Sequence, residues 1–354
     1  MTYRAEFKKY FLDFINPMGT SRGVLQQRDI YILCISRGDV VGFGECSPLK
    51  GLSLDGDPEF ENKLSQVCDS INNGILPAEE DLYDWPSIRF AVESAFLDIE
   101  RGGKQQLFAS EFTKGVKNLP TNGLVVMESI ENMYRQVVAK IDAGFRCIKI
   151  KIGALDFNAE CRLISRIREQ FPAGEIDLRL DANGAFADEE ALTKLETLAQ
   201  FSIHSIEQPV RPRHWDAMAF LCRESPIPVA WDEELIGITD VDEKTVLVEA
   251  FRPAFLVLKP TLLGGLKACE EWIDIAGKFD VGFWVTSALE SNIGLNIISQ
   301  WASTLDVSIP QGLGTGKLFT RNFQSPLSLQ NGYLHYSPEK LAASSTVQDK
   351  LQLR

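Results

Sequence analysis

The middle of the chain alternates between two spacings of apolar residues. Short apolar runs cover 123–127, 147–152, 176–181, 203–207, 229–232, 255–259, 282–286 and, less sharply, 307–311. Between them apolar positions recur every three to four residues. Ile130, Met133, Val137, Val138 and Ile141 follow Ser129, a good helix cap, and precede Gly144, a good helix stop. Ala191, Leu192, Leu195 and Leu198 mark another helix starting near Asp188. The ends of successive runs step by 25, 29, 26, 25, 27, 27 and 25 residues. That step fits one strand, one helix and two loops, and eight of them predict a (β/α) barrel.

The two ends of the chain read differently. Residues 31–37 and 40–45 resemble two strands joined at Gly38-Asp39, which predicts a hairpin. Residues 88–100 have a helical pattern, so the first 115 residues form an α+β layer of their own. Asn331-Gly332 is a second turn signal between strand-like pieces, in a final segment expected to return to that first layer.

Composition narrows the chemistry. With 354 residues, 45% hydrophobic and 24% charged, the chain is globular in character. Its net charge of −13 and isoelectric point near 4.9 argue against nucleic acid and anionic membrane as partners. No run of about 18 apolar residues is present to cross a membrane, and the first residues lack a secretory-signal pattern. The seven cysteines are odd in number and contain no CxxC, which suits a reducing cytoplasm. The three histidines, His204, His214 and His335, are in no metal-ligand spacing, and His204 reads as a strand or core residue. Any chemistry must therefore rest on Lys, Asp, Glu or a bound metal.

Barrel active sites lie at the C-terminal ends of the strands. The second run carries Lys149 and Lys151, alternating with Ile148, Ile150 and Ile152, so both lysines share the inner face. Each ammonium is expected to lower the other's pKa and favour a free amine. The third run ends in Asp181 with Asn183 two residues on, the fourth in Glu207, and the fifth in Asp232 with Glu233 beside it. Three carboxylates on successive strands, with no His or Cys, make a hard oxygen site suited to Mg²⁺, with Mn²⁺ able to use the same donors. Lys259 ends the sixth run and faces Lys151 across the mouth if the two strands are second and sixth of eight. Ser287 and Glu290 follow the seventh and either contact substrate or orient other groups. Gly312, Gly314 and Gly316 form no nucleotide fingerprint; they either let a ligand approach the backbone or simply make a loop.

The ordered pieces IKIKIG, RLDANGAF, SIEQPV, VAWDEELIG, VLKPTLLGG and SALESNIGL resemble the enolase superfamily, in the subgroup of the muconate cycloisomerases. The resemblance covers most of the chain. It implies a modified (β/α)₇β TIM-like barrel at 116–318, an N-terminal α+β capping domain at 1–115 and a C-terminal segment, 319–354, rejoining the cap. It also implies Mg²⁺ on Asp181, Glu207 and Asp232, Lys151 as acid and base, and Lys259 on the opposite face of the substrate. Lys149, Asn183, Ser287, Glu290 and Gly312 would contact that substrate, a small carboxylate. The loop 18–23 would close over the site. With GFGECSPLKGLS near the start, the motifs are most similar to members that dehydrate a hydroxy-cyclohexadiene carboxylate to 2-succinylbenzoate for menaquinone. The same residues would also serve an N-succinylamino acid racemase, a dipeptide epimerase or a muconate cycloisomerase. Epimerases of this group usually carry Asp-x-Asp where this chain has Pro310-Gln311-Gly312. A non-catalytic carboxylate-binding barrel is the rival from another class. The oligomeric state, a homo-oligomer included, is left open.

Overall fold

The computed structural model describes residues 2–20, 23–56 and 58–341. The elements in chain order are β1 (Arg4–Thr20), β2 (Gly23–Arg37), β3 (Val40–Cys46), α1 (Phe60–Asn72), α2 (Pro86–Glu100), β4 (Leu119–Pro120), β5 (Gly123–Val125), α3 (Ile130–Asp142), β6 (Cys147–Lys151), α4 (Phe157–Gln170), β7 (Asp177–Asp181) and α5 (Asp188–Ala199). Then follow β8 (Ser205–Glu207), α6 (Trp215–Glu224), β9 (Val229–Trp231), α7 (Val241–Phe251), β10 (Phe255–Leu258), α8 (Pro260–Leu263), α9 (Leu266–Lys278), β11 (Gly282–Val285), α10 (Asn292–Ala302), β12 (Leu327–Gln330) and β13 (Tyr333–Tyr336). None of the described helices is long and apolar enough to cross a membrane.

The antiparallel sheet β1-β2-β3 carries α1 and α2. Its central strand is apolar on both faces for a reason. Tyr31, Leu33 and Ile35 pack into the core under α1 and α2. Ile30, Ile32 and Cys34 belong to the larger core that also packs the barrel strands against their helices. A continuous run of buried residues in β2 thus records a strand sandwiched between two cores. On β3, Gly42 and Gly44 let α2 lie against bare backbone; a Cβ at Gly44 would stand 1.9 Å from the Ala91 carbonyl oxygen.

The barrel is a parallel sheet in the order β11-β10-β9-β8-β7-β6-β5. Ser129 caps α3 by accepting the Asn132 N–H, as its position predicts. The expected eighth strand at 307–311 is not a strand. Pro310 has no N–H to give a ladder, and pairing is reduced to two parallel bridges, Thr121 with Gln311 and Thr286 with Gly312. These still join both edges of the sheet. The stretch expected as a loop over the site is the end of a long hairpin: Met18 to Thr20 close β1 and Gly23 opens β2, with Ser21 and Arg22 outside the described residues. Beyond the barrel, Phe319 bridges Phe14 of β1. The hairpin β12–β13 then pairs with β4 rather than with the first sheet.

Candidate active site

In register, Lys151 lies beside Asp181, and Asp181 beside Glu207. Each sits at the C-terminal end of its strand, with Asp232 just past the end of β9 and Lys259 just past β10. Ile148, Ile150 and Ile152 are buried in the core on the outer face, which turns Lys149 and Lys151 inward. The inner face opens into a cavity of about 130 Å³. Lys149, Lys151, Asp181, Asn183, Glu233, Lys259, Ser287 and Gly312 line it. Apolar cover comes from Met18, Leu49 and Leu52 of the cap and from Leu124, Leu262 and Leu289 of the barrel. A cavity with apolar walls and converging charges at its floor suits a small carboxylate.

The polar contacts form one cluster. The Lys149 ammonium stands 2.9 Å from Asp181 Oδ2 and donates to both oxygens of Glu207, at 2.5 and 2.7 Å. Lys151 Nζ donates to Asn183 Oδ1 at 2.6 Å and lies 3.6 Å from Asp181 Oδ2. Asn183 in turn donates to Glu233 at 3.0 Å, and its φ of +44° is of the kind asparagine tolerates. Lys259 pairs with Asp232.

Burial opposes every charge here, and the neighbours decide which charges survive. Burial works against ionised Asp181, but the Lys149, Lys151 and Lys259 ammonium groups hold it well below the usual carboxylate range. Burial together with the Asp181 charge pushes Glu207 up to about 8. Burial also raises Asp232 and Glu233. Lys149 moves upward, because Asp181, Glu207 and Asp232 outweigh the cost of burying it. This corrects the expectation that the paired lysines make Lys149 a free amine: the carboxylates crowd it more closely than the second lysine does.

The fit to a metal can be read from the same cluster. Among the described residues no group of three or more His, Cys, Asp or Glu side chains encloses a common point. The ammonium groups of Lys149 and Lys259 stand among the acids instead. The donor chemistry nevertheless suits a hard divalent cation: Asp181, Glu207 and Asp232 are nearly inaccessible, and Asp232 Oδ1 is buried with no hydrogen-bond partner. Four carboxylates face three lysines, so a substrate carboxylate adds negative charge that a further cation would help to balance.

One expected substrate contact differs. Glu290 is fully buried and turned away from the cavity, where it accepts from Thr261 Oγ1 at 2.6 Å and from the Ala288 N–H. Its buried carboxylate organises the loop rather than meeting a ligand. Gly312 lines the cavity because it must pass Thr286; a Cβ there would fall 2.1 Å from Thr286 Oγ1. His204 stacks on Phe255, away from the lysines. The sequence reading missed Asn122 and Thr315. Thr315 lies in the glycine run it singled out and hydrogen-bonds Ser287 at 2.8 Å. Asn122 precedes β5 with no local signal.

Residues 132–340 match the family model described as Enolase C-terminal domain-like. The chain is 40% identical to the o-succinylbenzoate synthase of Desulfotalea psychrophila, over 94% of this chain and 98% of that protein. The crystal structure of MenC from Desulfotalea psychrophila LSv54 superposes with a TM-score of 0.85 at 36% identity, covering 95% of this chain and 100% of that one. A dipeptide epimerase from Enterococcus faecalis, solved with Mg and the dipeptide L-Leu-L-Tyr, shares the fold at 18% identity, with a TM-score of 0.79 over 97% and 99% of the two chains.

Proposed function

The chain belongs to the enolase superfamily, and from that premise we propose that it is an o-succinylbenzoate synthase, a lyase that dehydrates a hydroxy-cyclohexadiene carboxylate to 2-succinylbenzoate in the cytoplasmic synthesis of menaquinone. The observation that carries the reading is the pair Lys151 and Lys259 lining one small, mostly apolar cavity with acids at its floor, in a chain 40% identical to a synthase of that name. The division of the chain at 115 and 318 belongs to the same proposal.

Lys151 Nζ takes the proton alpha to the carboxylate, and the C–H electrons pass into the conjugated acid. The ring carbon–hydroxyl bond then breaks, the protonated Lys151 returns its proton to the departing oxygen as water, and the ring becomes aromatic. Positioned proton transfer of this kind contributes about 10²–10⁴-fold. Lys259 faces the developing charge from the other side, and Lys149 and Asn183 keep Lys151 and the carboxylate in line. Asp181, Glu207 and Asp232 would hold Mg²⁺. An ion bound there would supply positive charge to the substrate carboxylate. The apolar walls exclude water that would otherwise compete for Lys151.

The test is turnover of the cyclohexadiene acid with Mg²⁺, followed by the rise of the aromatic product's absorbance. No product from that acid, with racemisation of N-succinylamino acids under the same conditions, would replace the synthase by a racemase using the same lysines.

A further inference from the structure

Two loops from distant parts of the chain meet at one wall of the cavity. The first follows β3 and carries Leu49 and Leu52; the second follows β11 and carries Ser287, Ala288 and Leu289. Leu289 has a φ of +67°, a conformation that leucine keeps only where its surroundings over-determine it. What holds it is a clamp on the adjacent peptide groups. The Ala288 N–H donates to both oxygens of Glu290, at 3.0 and 2.8 Å. The Leu289 N–H donates to Ser287 Oγ at 2.9 Å. The Ala288 carbonyl accepts from Arg28 Nη1.

Arg28 comes from β2 of the cap, 260 residues away in sequence, and is buried. Its other terminal nitrogen donates to the carbonyl of Ser47, where the first loop begins. One planar guanidinium therefore ties a carbonyl of the cap loop to a carbonyl of the barrel loop. Glu45 makes a parallel tie: fully buried, it accepts from Ser47 Oγ and from the N–H groups of Ser291 and Gly294, both at 2.8 Å. Burial works against the Arg28 charge, and Glu290, Glu45 and Asp55 offset part of that cost. Apolar side chains would join the two units with no such cost. The forked donor does what they cannot, since it fixes the spacing and direction of two carbonyls at once.

We propose that Arg28 is a positioning residue for the substrate: by holding the Ser47 and Ala288 carbonyls together it sets the distance between the two cavity loops and presses Leu289 against the apolar body of the bound acid. The assignment rests on the cavity being the substrate site. Arg28 itself does not line that cavity, so it acts through the loops.

The experiment uses the full chain with Mg²⁺ and Arg28→Lys, which keeps the charge and loses the fork. Hydrogen exchange is followed in peptides spanning 47–53 and 286–292, and KM and kcat are measured on whichever acid the wild type turns over. The expected result is faster exchange in both peptides together, a KM raised about tenfold or more and a smaller loss in kcat. Should Arg28→Lys fail to fold, Glu290→Gln takes its place. Being nearly isosteric, it presents an amide where Oε2 accepted the Ala288 N–H, and it should quicken the 286–292 peptide and raise KM in the same way. Folded variants with unchanged exchange, or with KM within about twofold of wild type, overturn the proposal. Exchange that quickens throughout the chain, with KM unchanged, makes Arg28 a stability residue only and overturns it too. A wild type inert toward every acid would sink the functional reading instead, while the paired exchange of the two loops would still decide the clamp.

Discussion

Lys149→Met separates the roles of the buried ammonium and the acids it binds. Lys149 is 9% exposed, 2.9 Å from Asp181 and within 2.7 Å of both Glu207 oxygens. Methionine keeps most of the volume and leaves two buried carboxylates without their shared cation. Breaking a buried pair in this way costs about 3–5 kcal/mol. Unfolding entropy of about 2.1 cal/mol/K per residue gives a chain of 354 residues about 0.7 kcal/mol/K, so the variant should melt about 4–7 °C lower in EDTA. Saturating Mg²⁺ stabilises both proteins, so the gap closes only by the affinity the variant gains once Lys149 no longer competes with the ion for the acids. A hundredfold tighter binding by the variant would return about 2.7 kcal/mol and close the gap to about half or less. The assay is paired thermal melts of both proteins in EDTA and in saturating Mg²⁺. An equal gap in the two buffers would refute the reasoning, because it would mean that removing the Lys149 ammonium does not strengthen the hold of Asp181 and Glu207 on the ion.

Lys151→Ala should lower turnover of the cyclohexadiene acid by about 10²–10⁴-fold with the melting temperature and Mg²⁺ affinity little changed; activity near wild type would remove Lys151 from proton transfer. Asp55, buried against Ser87 at the start of α2, is pushed by burial up to about 6. The native state therefore keeps a proton between about pH 4 and 6 that the unfolded chain has released, and loses stability as pH rises through that window. Asp55→Asn does not titrate, so its stability relative to wild type should improve by about 3 kcal/mol between pH 4 and 7. A difference that does not vary with pH in chemical denaturation would contradict this. Gly312→Ala drives a methyl into Thr286 and should cost about 1–3 kcal/mol by denaturant titration; an unchanged midpoint would show that the bridge yields without strain.

Much of the barrel was legible because its signals are local. The step between apolar runs counts out one strand and one helix whatever surrounds them, and the alternation of lysine with isoleucine at 148–152 fixes which face of β6 looks inward. The carboxylates at 181, 207 and 232 follow from the same count. What failed depended on more than the spacing of apolar positions. Residues 307–311 have a weaker version of the same apolar pattern, yet with Pro310 among them they make a single bridge, at Gln311. Glu290 follows the end of β11, and buried donors from Thr261 and nearby Ala288 turn it into the loop.

The sequence by itself determined the repeating unit, the inward lysines and the acidic strand ends, because periodicity and chain order suffice to state them. Only the tertiary structure decided that Lys149 belongs to the acids rather than to its neighbouring lysine, and that Arg28 reaches Ala288. Those outcomes are balances of burial against charge between groups that meet only after folding. No local spacing encodes which carbonyl will face a guanidinium 260 residues away.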